Sequence, residues 1–364
     1  MPVEFIGFVS SQNHSEIIPP TGPVIDLAHI ETAAKIHENG GFDRVLIAFH
    51  SNSPESILLA QHVAATTRTL GLMVAHRPGF TAPTLAARQF ATLDQISRGR
   101  AAVHIITGGS DTELQADGDH TVKAERYART REYLEIVRRE WSSREPFDYQ
   151  GRFYTVNGAQ SRVLPYQGDA IPVYFGGSSD EAIAVAGEQA DVYALWGETY
   201  EQVRETVFRV RAAAEKAGRN NLRFSLSLRP ILAETEEAAW AKADAILEKA
   251  KALQEKTGYT RSSIIPNEGS RRLLAAAEQG SRLDKRLWTG IAALTGAKGN
   301  STSLVGTPDQ VAEALLDYYR LGVSTFLIRG FDPLVDAYDY GRDLLPRVRE
   351  LVAKEDQRSG QKAA

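Results

Sequence analysis

Apolar and polar positions follow two rhythms along this chain. Short runs of apolar, often β-branched residues predict strands over Val3–Val9, Arg44–Ala48, Gly71–His76, Ala101–Thr107, Pro172–Phe175, Val192–Leu195, Arg223–Leu228 and Val323–Ile328. Between them, apolar spacing near the α-helical repeat predicts helices that include Val24–Asn39, Pro54–Thr69, Ala82–Arg98, Ala124–Trp141, Tyr200–Ala217 and Pro308–Leu321. Pro54 and Pro83 suit first helical turns, and Gly40 and Gly99 suit C-terminal caps. Strands that alternate with helices in this way predict an α/β fold, a closed TIM (β/α)8 barrel. The rival is an open doubly wound sheet, but no GxGxxG fingerprint follows the first strand.

Two stretches break the alternation. Residues 108–170 read as a polar loop, a helix and a hairpin around FDYQGRFYTV, and residues 254–302 hold the polar phrases KTGYTRSSIIPNEGSRR and TGAKGNSTS. Both follow strands, so in a barrel they are insertions at the carboxyl-end face and candidate lids, with simple disorder the alternative for the second. The expected organisation is one barrel domain over 1–352 and an unstructured tail over 353–364.

Composition narrows the class. A chain of 364 residues, 43% hydrophobic, buries a large core within one barrel. Its net charge of −4 offers no footprint for nucleic acid. No apolar run approaches the roughly 18 residues of a membrane span, and MPVEFIGFVSS reads as a first strand rather than a signal peptide. Without cysteine there are no disulfides, thiolate nucleophiles or iron–sulfur ligands, and no HExxH spacing suggests a metal. A cytoplasmic protein is expected.

The most informative chemistry lies in IPVYFGGSSDEAIAVAGEQADVYALWGE, residues 171–198. A strand ends in Gly176-Gly177, which lets backbone approach a ligand, and Ser178 and Ser179 open a helix whose free N–H groups favour an anion. A second strand delivers Trp196 to its carboxyl end. An ordinary helix cap and a core tryptophan are the alternative. His50 and His76 end strands two and three and are candidates to face a site, or to be bonded locally, whereas His104 falls inside strand four and reads as core.

Four segments, VAHRPGFTAPTLAARQFATLDQISRGRAAVHIITGG, ERYARTREYLEIVRREW, YFGGSSDEAIAVAGEQADVYALWGE and LVGTPDQVAEAL, occur here in one order. Together they resemble the bacterial luciferase-like flavin monooxygenases, above all the two-component alkanesulfonate monooxygenases. The resemblance covers almost the whole chain and weakens over 254–302. It implies a TIM barrel, reduced FMN delivered by a separate NAD(P)H-dependent flavin reductase, and oxygen-dependent release of sulfite and an aldehyde from an organosulfonate. It also implies a homodimer or homotetramer. By the same resemblance Thr107 meets an edge of the isoalloxazine, and Tyr127, Ser178 and Ser179 hold the FMN phosphate. Lys123 stands where the family often carries His, as a candidate phosphate cation. A capped strand end for Thr107 and a solvated loop charge for Lys123 are the alternatives.

Around the expected substrate, Trp196 matches the family but its neighbours depart from it. Gln12 replaces a His, Ser53 a Cys, Ser227-Leu228-Arg229 an Arg-x-His pattern and Phe331 a Tyr, while Arg329 stands where a small residue is usual. These departures imply a related reaction on a different substrate. Arg229 and Arg329 follow adjacent strands, so their guanidinium groups are expected to converge on one anion such as a sulfonate. An ion pair with Asp332 or a loop acid is the alternative. Trp196, Arg229, Arg329 and His50 are the candidate catalytic residues, and Gln12, Ser53, Ser227 and Phe331 the candidate substrate contacts. Unmatched hydrogen-bonding groups would cost about 1–3 kcal/mol each against a plain alkyl chain, which favours a hydroxylated sulfonate such as sulfoquinovose. The competing readings are a simple alkanesulfonate monooxygenase, an F420-dependent hydride-transfer enzyme and a non-catalytic flavin-binding protein.

Overall fold

The computed structural model describes residues 2–257, 267–297 and 299–363. Eight strands close into a barrel: β1 (Glu4–Phe8), β2 (Arg44–Ile47), β3 (Gly71–His76), β4 (Ala101–Ile105), then, after a two-stranded excursion β5 (Phe147–Gln150) and β6 (Thr155–Ala159), β7 (Val173–Gly176), β8 (Val192–Trp196) and β9 (Arg223–Leu228). A small second sheet of β10 (Ile231–Leu232), β11 (Arg282–Leu283), β12 (Leu287–Trp288) and β13 (Ser303–Gly306) follows, before β14 (Thr325–Ile328) completes the barrel. The order around the barrel is β1-β14-β9-β8-β7-β4-β3-β2. This is the expected (β/α)8 architecture, and each barrel strand lies within two residues of its predicted bounds.

The chain forms two compact units, residues 1–45, 194–209 and 223–364 in one and 46–193 and 210–222 in the other. In the first, β14 runs parallel to both β1 and β9, with Phe5 opposite Phe326 and Phe326 opposite Leu226. In the second, β4 runs parallel to both β3 and β7. Every residue of β3 is buried. A strand covered on both faces reads as a continuous apolar run, which is why GLMVAH could be recognised without alternation.

Helices α1 (Leu27–Asn39), α2 (Ser56–Thr66) and α3 (Pro83–Ser97) occupy the first three intervals. Gly40 caps α1 and Pro83 opens α3 as expected, but Pro54 stands just before the Glu55 cap of α2 rather than inside its first turn. At the end of α3, Arg98 takes the left-handed position at φ 57°. The first insertion contains α4 (Asp111–Ala116), α5 (Lys123–Ser142) and the antiparallel β5–β6 hairpin. Its return to the barrel is fastened by Asp94, a fully buried carboxylate. Asp94 accepts from Ala101 N at 3.2 Å, Gln167 N at 3.1 Å and Gln167 Nε2 at 2.8 Å, and Gln167 Nε2 also donates to the Ala101 carbonyl at 2.9 Å.

After α6 (Asp180–Gln189) and α7 (Tyr200–Lys216) comes α8 (Glu236–Thr257), a helix beyond those predicted from the apolar spacing. Its Ala239, Ala243, Ile246 and Ala250 form one helical stripe, buried in a cluster with Ile231, Trp288, Val305 and Phe331. Residues 267–302, expected as irregular polar chain, instead carry α9 (Glu268–Gln279), β11, β12 and α10 (Gly290–Thr295). Most of KTGYTRSS and the following IIP, residues 258–266, lies outside the described residues. Helix α9 is fastened: Arg272 donates from Nε and Nη2 to the two oxygens of buried Glu198, both at 2.9 Å, and Leu273 packs with Ala292 and Ala297. Deleting residues 266–282 would therefore test folding rather than lid closure.

The remaining helices are α11 (Pro308–Arg320), α12 (Val335–Asp339), a π turn over Tyr340–Leu344 and α13 (Leu345–Ala363). Thr307 and Gln310 close a reciprocal capping box at the start of α11. The tail expected to be unstructured from residue 353 is part of α13, where Glu355 pairs with Arg320 at 2.7 Å and Asp356 accepts from Tyr319 at 2.7 Å. Among the described residues, no helix is long and apolar enough to cross a membrane.

Three buried histidines give the fold a pH signature. Burial lowers His37, His76 and His104 to about 4 each. His37 donates from Nδ1 to the Ala33 carbonyl at 2.7 Å, and a Cβ on Gly7 would fall 2.0 Å from its ring. His76 is bonded to Tyr133 at 2.6 Å, so it belongs to the interior and not to a site at a strand end. Because these groups fold neutral, the unfolded chain binds more protons between about 6.5 and 4, and stability is lost as pH falls through that window. Each contributes a slope of at most about 1.4 kcal/mol per pH unit. Urea denaturation of the parent and of His76→Asn across this range should show a shallower decline in the variant. Equal slopes would remove His76 from the acid response.

Candidate active site

In the second unit, the candidates for the cofactor cluster on two strand ends and two helix starts. β7 ends at Gly176, and Gly177 adopts φ 146°, where a Cβ would lie 2.7 Å from the Ala182 methyl and 3.3 Å from the Tyr127 hydroxyl. Only glycine serves there. Tyr193 donates its hydroxyl proton to the Gly177 carbonyl and holds the turn from below. Ser179 caps α6, accepting from Ala182 N at 3.3 Å, and is hydrogen-bonded to the Tyr127 side chain. Burial raises the Tyr127 phenol, which keeps it a neutral donor, with the Ser179 contact pulling the other way. The Tyr127 hydroxyl of α5 thus lies against the Gly177-Ser178-Ser179 turn. Exposed Asp180 and Glu181 occupy the next turn.

Thr107 lies two residues past the end of β4. It is buried, and its Oγ1 has no hydrogen-bond partner among the described residues. An unpaired buried hydroxyl carries a desolvation cost that a ligand's polar edge would relieve. Lys123 is exposed in the first turn of α5, close enough for its charge to act on Glu181. A cation there opposes the helix dipole, so it does not serve the helix. Nearby, buried Arg126 donates to the Gly108 carbonyl at 3.1 Å, holding the segment after Thr107.

His50 and Ser53 follow β2 in this unit. Ser53 is not available as a substrate hydroxyl: its Oγ accepts from His50 N and donates to the His50 carbonyl, both at 2.9 Å. It closes the turn that carries His50. The His50 ring lies 3.4 Å from Glu113, which Arg77 also contacts.

In the first unit, two guanidinium groups approach one carboxylate. Arg229 follows β9 and is 1% exposed, and its Nη1 lies 2.8 Å from Glu16 Oε2. Its Nη2 donates to the Gly330 carbonyl at 2.9 Å. Arg329 follows β14 with its side chain 27% exposed, 3.6 Å from Glu16 Oε1. Burial would raise the Glu16 carboxyl, but the Arg229 and Arg329 charges outweigh it and hold the group well below the usual carboxylate range. Two positive groups and one negative leave a net charge of +1. The loop acid, not Asp332, is the partner: Asp332 accepts from Val335 N at 3.1 Å instead. Glu16 has no local signal in QNHSEIIPP that predicts this pairing.

Phe331 is a correction. It is buried in the α8 cluster, and the Arg229 guanidinium lies 3.6 Å above its ring centroid, so it supports Arg229 rather than a substrate. Trp196 ends β8 and is partly buried against the Leu273 cluster; a Cβ on Gly269 would reach its ring at 2.9 Å, so α9 rests on it. Ser227 is half-buried within β9. The Gln12 backbone carbonyl accepts from Ser10 Oγ at 2.8 Å. Phe8, His14, Ser15 and Gly330 join Arg229 and Arg329 around a small cavity of about 20 Å³.

The profile of the luciferase-like monooxygenases matches residues 3–325, and the chain belongs to that family of enzymes. Solved structures with the same fold include a riboflavin lyase with modified FMN and riboflavin, 21% identical, TM-score 0.77, covering 96% of this chain and 92% of that one. The EDTA monooxygenase of Chelativorans sp. BNC1 is 19% identical, with TM-score 0.76 and coverage of 96% and 94%. DmoA of Hyphomicrobium sulfonivorans is 21% identical, with TM-score 0.77 and coverage of 96% and 88%.

Proposed function

We propose that this enzyme is an FMN-dependent, two-component monooxygenase that cleaves the carbon–sulfur bond of a polar organosulfonate. The observation that carries the substrate class is the approach of Arg229 and Arg329 to a single carboxylate, since the same donors match the oxygens of a sulfonate. The buried Thr107 hydroxyl and the Gly177-Ser178-Ser179 turn beside Tyr127 suit a flavin edge and its phosphate. Related structures that contain FMN, or are named as monooxygenases, support the same reading. When bound, reduced FMN from a separate NAD(P)H-dependent reductase supplies two electrons to molecular oxygen.

For a substrate R–CH2–SO3⁻ the balance is one O2 and one FMNH2 consumed, with RCHO, SO3²⁻, FMN, H2O and H⁺ formed. Arg329, the more exposed of the pair, meets the sulfonate, and Arg229 backs it with Glu16. Gln12 and Ser227 serve substrate hydroxyls, Trp196 excludes water, and Lys123 adds positive charge near the phosphate. A homodimer or homotetramer is the proposed assembly.

A panel of sulfonates assayed for sulfite, with FMN, oxygen and a flavin reductase, tests this reading. Sulfite from sulfoquinovose should exceed that from octanesulfonate, and should vanish without oxygen. The reverse preference would leave a simple alkanesulfonate monooxygenase. Anaerobic reduction of F420 by an alcohol, with no sulfite from any sulfonate, would replace the assignment.

A further inference from the structure

His50 follows the carboxyl end of β2 with its side chain 64% exposed. A histidine so exposed needs no support to keep the protein folded, yet this one is supported from two sides. Ser53 closes its backbone turn with paired contacts of 2.9 Å. Its Nδ1 lies 3.4 Å from Oε1 of Glu113 on α4. That same oxygen accepts from Ser51 N at 3.3 Å and from Nη2 of Arg77, which follows β3.

Arg77 is 5% exposed, and its guanidinium carbon lies 5.4 Å and 5.9 Å from the ring centroids of Phe49 and Phe80. Its Nε and Nη1 are buried without hydrogen-bond partners among the described residues. Burying a guanidinium with unpaired donors costs stability, so the placement is better explained by what Arg77 does to Glu113 than by folding. These two are the charged groups that face His50 from α4 and from the end of β3.

We propose that Glu113 is a positioning residue for His50. It accepts the proton on Nδ1 and fixes the tautomer whose Nε2 faces outward as a proton acceptor, with Arg77 clamping the carboxylate in place. Burial would raise the Glu113 carboxyl, but hydrogen bonds from His50 and Arg77 and the Arg77 charge hold it at about 2. Glu113 therefore stays an acceptor throughout the working pH range. The function of this dyad rests on the monooxygenase reading above, whose balance sets one proton free; Nε2 of His50 is the group that takes it up. A carboxylate behind an imidazole sets its tautomer and ring orientation.

Nitrogen-15 NMR of the His50 ring, assigned with His50→Gln, and the kinetics of sulfite release test the proposal together. The parent should show the Nδ1–H tautomer. Glu113→Ala should return His50 to the mixture of a free imidazole and lower kcat by about tenfold to a hundredfold with little change in KM. Glu113→Gln keeps an acceptor, so the tautomer and most of kcat should persist. If Glu113→Ala fails to fold, the parent tautomer and its retention in Glu113→Gln decide. An Nε2–H tautomer in the parent, or a free-imidazole mixture in Glu113→Gln, overturns the proposal. The NMR arm needs no turnover, so a chain that released no sulfite would refute the substrate reading and still report on the dyad.

Discussion

Replacing Arg229 with methionine should lower the stability of this enzyme by about 3–5 kcal/mol, the range for breaking a buried ion pair from one side. The loss has three parts. Glu16, only 14% exposed, would keep a buried carboxylate with Arg329 as its remaining partner at 3.6 Å. The Gly330 carbonyl would lose a 2.9 Å donor, and Phe331 would lose the cation above its ring. Adding Glu16→Gln should restore part of the stability, because the orphaned charge disappears. The coupling in this double-mutant cycle should exceed about 1 kcal/mol. Urea denaturation provides the measurement, and an Arg229→Met variant as stable as the parent would mean that the pair is not felt. Arg329 gives the complementary result. Being partly exposed, it contributes little to folding, so Arg329→Met should retain stability while turnover of a sulfonate falls by about 3 kcal/mol, on the order of a hundredfold.

The second large effect is expected at the flavin phosphate. Ser178→Ala combined with Ser179→Ala should weaken binding of reduced FMN by about 3 kcal/mol, near a hundredfold in Kd. Some stability should be lost as well, because Ser179 caps α6; a cap is worth about 1 kcal/mol. The two readouts separate: an anaerobic flavin titration reports the phosphate contacts, and denaturation reports the cap. Unchanged affinity with reduced stability would leave these serines as helix punctuation only.

What the chain revealed before its structure, and what it withheld, follows from the range of the interactions. The barrel was legible because its strands are local apolar runs and its helices carry local stops and starts, as at Pro83 and Gly40. The glycine at 177 was legible because its backbone conformation excludes other residues. Partnerships across sequence were not. Glu16 meets Arg229 only once β1 and β9 have been brought together through the barrel order, and nothing in its own loop announces that. Ser110 and Glu113 have the spacing of a capping box, and Ser110 does cap α4, but the Glu113 carboxylate turns to Arg77 and His50. Phe331 is expected at the substrate because it stands where the family carries Tyr, and a position in the sequence does not tell whether the ring faces a ligand or lies beneath a guanidinium.

The Asp94 anchorage bears on how an enzyme of this kind can diversify. Because Asp94 and Gln167 fasten the chain returning toward β7 to the start of β4, the long excursion that leaves the other end of β4 comes back to a fixed point. Closing a longer loop onto such a point costs little more, since the entropy grows only with the logarithm of length. The excursion can then be exchanged as a cassette, lengthened or rewritten in sequence, while the strands beneath keep their register. Inheritance of new chemistry at this end of the barrel thereby becomes a matter of swapping a module rather than redesigning its foundation.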